Sequence, residues 1–145
     1  MTVKDNLLKL KTAITAVTAT ENGWTTLTRD GTTGQVVVQI DKCPVEGIPV
    51  EVLATIDTGT ENGTGTMIVT IEASDTLASG YIRVATFPTI TQATAARPAT
   101  RMVRRVATQK KYLRSVITVA AGNGAPSRLF AISVGVGLMD DDAIY

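Results

Sequence analysis

From Trp24 onward, apolar and polar residues alternate in short runs broken by glycine, proline, asparagine and aspartate. That period of two is the mark of a half-buried strand. In "GIPVEVLATID" the residues Ile48, Val50, Val52, Ala54 and Ile56 share one face. In "TMIVTIEAS" Met67, Val69 and Ile71 point inward, with Thr70 and Glu72 outward. A run through Val36, Val37, Val38 and Ile40 follows an Asp30-Gly31 turn, and Asn62-Gly63 marks a hairpin. "GYIRVATF", "RMVRRVAT", "KYLRSVITV" and "RLFAISVGVG" supply the remaining strands. "PTITQATAARPAT" reads as a polar, proline-bounded crossing, and "AAGNGAPS" as a long hairpin connection. Strands do not alternate with helical segments, which argues against a βαβ fold. The pattern predicts an all-β chain, a jelly roll or β-sandwich (or small barrel) of about eight antiparallel strands spanning residues 21–138.

Residues 1–20 follow a different logic. Leu8, Leu10, Thr12, Ile14 and Ala16 alternate with Lys9, Lys11, Ala13 and Thr15. A short amphipathic helix capped by Asp5 is the competing reading of "DNLLKLK". The β-branched "TAITAVTAT" favours an extended N-terminal arm, able to pair with its own domain or with a neighbour's sheet edge. Residues 139–145 form a short acidic tail.

Composition narrows the chemistry. The 145 residues include 24 threonines but only 4% aromatics, which suits a stiff pleated scaffold. There is no histidine, which removes the commonest general acid/base and transition-metal ligand. The single cysteine, Cys43, excludes an internal disulfide and a multi-thiolate metal site. Although Lys42 and Pro44 flank it as they would a reactive thiol, a small apolar side chain is the favoured reading. No cofactor is expected. No segment approaches the ~18 apolar residues of a membrane helix. Lys9 and Lys11 interrupt the N-terminal apolar run, so the expectation is a chain made and kept in the cytosol or in an assembly built there.

The net charge of +1 conceals a segregation. Residues 1–75 carry five basic and ten acidic residues, residues 76–139 carry nine basic and no acidic ones, and Asp140, Asp141 and Asp142 follow. Seven of the 14 basic residues lie between Arg97 and Arg114. Three outcomes are open: folding interleaves the two halves into a mixed surface, the cluster docks an acidic partner, or it binds nucleic acid. Arg104 and Arg105 are adjacent on a strand and must face opposite ways. Tyr81, Tyr112, Phe87 and Phe130 are too scattered for a base-stacking groove, which argues against nucleic acid.

One catalytic motif stands out. "LATIDTGTE" resembles the aspartic-protease signature, with Asp57 as the carboxylate and Thr58 and Gly59 shaping its turn. The following "ENGTGT" reads as a hairpin tip, where aspartate and glycine are favoured on turn chemistry alone, and "GVGLMDD" is a poor match to the second protease hallmark. The turn reading prevails. "GNG" and "GVG" lack the setting of a phosphate-binding loop. Asp140, Asp141 and Asp142 lack the spacing of a calcium loop.

Four stretches carry a family resemblance: "DNLLKLKTAITAVTAT", "IPVEVLATI", "GTMIVTIEASD" and "KKYLRSVITVAAGNGAPSRLFAISVGVGLMDD". In these the chain resembles the jelly-roll capsid cement (decoration) proteins of short-tailed bacteriophages, with no counterpart for residues 83–105. The resemblance implies a structural virion protein without enzymatic activity, synthesised in the host cytoplasm. Such a protein sits on the outer surface of the head and clamps major capsid protein subunits together. It further implies a homo-oligomer, a dimer before a trimer; on composition, neither a membrane nor nucleic acid is expected as partner. Arm residues Leu7, Leu8, Leu10 and Ile14 would then be the apolar anchor. Arg101, Arg104, Arg105, Lys110, Lys111, Tyr112 and Arg114 would form the docking or self-interface. A head–tail connector or minor tail protein is the neighbouring alternative.

Overall fold

The computed structural model describes residues 9–12, 17, 20–40, 47–56, 66–91, 100–120 and 130–136. These contain nine strands and no helix: β1 (Lys9–Lys11), β2 (Val38–Gln39), β3 (Ile48–Ile56), β4 (Thr66–Ser74), β5 (Ile82–Thr86), β6 (Ile90–Thr91), β7 (Thr100–Val106), β8 (Tyr112–Ala120) and β9 (Phe130–Val136). One sheet has the order β1-β9-β3-β7 and the other β2-β8-β4-β5, with β6 also on β4. Every pairing is antiparallel.

β5 and β6 lie on the same edge of β4. The first pairs with Thr70–Ala73 and the second with Thr66 and Met67. They act as one strand interrupted at Phe87-Pro88-Thr89, where the Phe87 N–H still donates to the Val69 carbonyl at 2.9 Å and Pro88 has no N–H to offer. Counted that way there are eight strands. The first pairs with the last, the second with the penultimate, the third with β7, and the fourth with its successor. That is a long antiparallel hairpin rolled into two sheets, a jelly roll.

The core lies between the sheets. Val50 and Val52 come from one sheet, and Met67, Val69, Ile71, Ala73, Leu113 and Ile117 from the other, all fully buried. The described members of the period-two faces read from β3 and β4 are those that pack: Ile48, Val50 and Val52, and Met67, Val69 and Ile71. Thr70 faces away from the core and is still buried, flanked in register by Val116 and Thr86. Val36, Val37 and Val38 are buried consecutively because both sides of the run are covered. The Val36 N–H donates to Leu10 at 3.0 Å and the Val37 N–H to Thr26 at 2.9 Å. β6 falls inside what the sequence offered as a polar crossing; Ile90, at 1% exposure, is what draws it onto the sheet.

Of the two pairings open to the N-terminal arm, with its own domain or with a neighbour's sheet edge, the described residues show the first. From Lys9 it is already part of the sandwich, with β1 on the β9 edge. Leu10 and Val17 are fully buried in this chain's own core, so Leu10 is no outward anchor for a partner. Leu7, Leu8 and Ile14 lie outside the described residues. The Lys11 ammonium is fully buried, 2.8 Å from the Glu21 carboxylate and donating also to the Thr33 carbonyl. Arg29 donates to the carbonyls of Lys9 and Gly34, each at 2.7 Å. The turn at Asp30 is closed by its carboxylate, which accepts from the Thr33 N–H at 2.8 Å and the Thr33 hydroxyl. Gly34, at φ +72°, sits against the Thr12 carbonyl where a side chain has no room.

Candidate interaction surface

The basic cluster is built on β7, β8 and the link between them, and its members have separate fates. On β7, Arg104 is the register partner of Val50, between the pairs Val52–Met102 and Ile48–Val106. It therefore shares the core-facing side of its sheet, while Arg101 and Arg105 take the outer side. Arg101 reaches Glu51 at 2.8 Å. Arg105 donates to the Gly47 carbonyl at 3.2 Å. The opposite orientations of Arg104 and Arg105 follow from strand alternation, as the sequence required.

On the link, Lys110 pairs with Asp75 at 2.6 Å, and exposed Lys111 lies 5.7 Å from the centre of the half-buried Tyr112 ring. On β8, Arg114 is the most heavily engaged. Its guanidinium contacts Glu72 at 2.6 Å, its cross-strand partner. The same group donates to the Gly23 carbonyl at 3.2 Å and stacks over Tyr81. A Cβ at position 23 would collide with the Arg114 side chain, so Gly23 is what lets the two approach. Burial pushes the Tyr81 phenol up from its ordinary value, with the Arg114 charge opposing the shift.

The acids engaged here, Glu51, Glu72 and Asp75, all belong to the acidic first half of the chain. Much of the segregated charge is thus interleaved by folding, and Arg101, Lys110 and Arg114 are committed within the domain. Among the described residues, Arg104, Arg105 and Lys111 have no carboxylate partner. Arg83 on β5 is exposed and likewise unpaired, because Glu72, its register neighbour, is bound to Arg114. Sequence reasoning left it out of the cluster because it stands alone on its strand.

Between the edge strands β5 and β7 lies an open cleft of about 630 Å³. Ile68, Phe87 and Pro88 supply apolar lining, and Arg83 and Arg104 bring charge from the two sheets. Among the described residues no group of three His, Cys, Asp or Glu side chains gathers to hold a metal, and no helix is long and apolar enough to cross a membrane. Asp57, Thr58, Gly59, Cys43 and the three terminal aspartates lie outside the described residues. The class the fold defines is an all-β jelly roll in which Arg104, Arg105, Lys111 and Arg83, without a carboxylate partner among the described residues, are spread over both sides of β7, the β7–β8 link and β5. No protein-family model matches the chain, and no curated protein matches its sequence.

Proposed function

We propose that the chain is a structural virion protein, a cement protein that binds the outside of a bacteriophage head and clamps neighbouring major capsid subunits non-covalently. The observation that carries this reading is the jelly-roll pairing order, first strand with last and second with penultimate. It is the fold implied by the resemblance in the arm, β3, β4 and the late strands. A closed two-layer scaffold suits a clamp, which needs rigidity and contact area but no reacting groups. Repeated over a shell, weak contacts add to an avidity beyond any one of them. In this reading the docking cations are Arg104, Arg105 and Lys111, whose charge is not spent on any carboxylate among the described residues. The protein acts as a homo-oligomer, a dimer in the simplest form, and transforms no substrate.

The test is cryo-electron microscopy of heads assembled with and without the protein. Added density at fixed lattice positions, with shells resisting higher temperature, is the expected result. A monomer that leaves heads bare sinks the proposal.

A further inference from the structure

We infer that the cleft between β5 and β7 receives an extended acidic segment of a partner polypeptide, held by Arg83 and Arg104 and paired to a free strand edge. This rests on the cement reading for the partner's identity, though not for the chemistry.

Three observations converge. β5 and β7 are the terminal strands of their sheets, each paired on one side only among the described residues, and they lie against each other. Such edges offer a row of unpaired N–H and C=O groups that an incoming strand can satisfy. The two arginines reach the cleft from different sheets and neither has a carboxylate partner among the described residues. A planar guanidinium takes a carboxylate in bidentate fashion. The half-buried Ile68 and the exposed Pro88 lie beside them, so a segment alternating acidic and aliphatic residues matches the lining. Nucleic acid matches it less well: among the described lining residues Phe87 is the one aromatic, and at 2% exposure it offers no stacking platform.

A second copy docking on the same face is disfavoured by charge. Residues 76–139 contain no acidic residue, so a two-fold contact through these edges sets arginine against arginine. An inward-pointing arginine on an edge strand also deters strand-to-strand aggregation, and the experiment separates the two roles.

The probe is a blocked twelve-residue peptide alternating Asp and Val, compared with its Asn/Val counterpart, with a twelve-residue oligothymidylate and with inorganic phosphate. Titration of the full chain by NMR at low salt is expected to move Arg83, Thr86 and Arg104 resonances with the acidic peptide alone. Arg83→Gln with Arg104→Gln is expected to weaken binding at least tenfold, and Arg101→Gln to leave it unchanged. Equal binding of the Asn/Val peptide, tighter binding of oligothymidylate or phosphate, or undiminished binding by the double variant overturns the inference. So does a double variant whose only change is self-association in light scattering. Peptide binding without decoration of heads would remove the cement reading and leave this one standing. Decoration that survives the double substitution, with no peptide binding, would do the reverse.

Discussion

The Arg114 guanidinium carbon sits 3.9 Å from the centre of the Tyr81 ring while its Nε donates to Glu72 at 2.7 Å. One side chain thus ties β8, β4 and the lead-in to β5 together, with Gly23 and Trp24 closing the far side through their carbonyls. Arg114→Ala is expected to cost about 2 kcal/mol. Arg114→Lys should fall between, keeping charge but losing the planar contact. Gly23→Ala should destabilise the parent chain and do less in the Arg114→Ala background. Urea unfolding of the four-member cycle measures the coupling, and strict additivity refutes it.

Lys11 and Glu21 form an asymmetric pair, the ammonium fully enclosed and the carboxylate 12% exposed. Glu21→Ala strands a buried charge and is expected to cost about 3–5 kcal/mol. Lys11→Met leaves a carboxylate that can still meet water and fills the space with apolar atoms, so it should cost less. Calorimetric melting of both variants checks the order; a larger loss for Lys11→Met contradicts it.

Asp30 sets a pH dependence. The Thr33 hydroxyl, with backbone N–H groups and the Lys11 charge, holds its carboxyl below the ordinary value of 3.8. The folded pKa is lower than the unfolded one, so its stabilisation is present above about 3.8 and is lost as pH falls through the folded value. Asp30→Asn should therefore differ from the parent at neutral pH and converge with it in acid. Chemical denaturation from pH 7 down to pH 2 tests this, and a constant offset across the range excludes it.

Leu10 separates a core strand from a detachable arm. Leu10→Ala should cost about 2–5 kcal/mol, comparable to Ile71→Ala, another fully buried position. A loss under about 0.5 kcal/mol, the usual bound for surface changes, would return the segment to the role of a free arm.

For the docking cations, reversing Arg104, Arg105 and Lys111 to Glu should abolish binding to heads while the circular dichroism and melting temperature hold. Decoration by the folded triple variant at parental levels excludes these residues as the contact.

Alternation made β3, β4 and β8 legible before folding, since each buries an apolar face: Val50 and Val52; Met67, Val69, Ile71 and Ala73; Leu113 and Ile117. It failed where both faces are covered, as at Val36 to Val38, and where a proline masks a continuing strand, as at Ile90. The fate of β1 was also hidden, because Leu10 between two lysines reads the same on a free arm as on a sheet edge. Only long-range pairing with β9 decides it. The cation set was legible as a cluster, but which members are spent depends on Glu51, Glu72 and Asp75, residues far away in the chain. Arg83 gave no local signal, and it joins Arg104 only through the rolling of the two sheets.

Because Lys9 stands opposite Gly135, the first and last described strands of the roll lie side by side. A circular permutant that joins these two strands with a glycine–serine linker, and is reopened in the turn at Leu77-Ala78, keeps every ladder between the described strands intact.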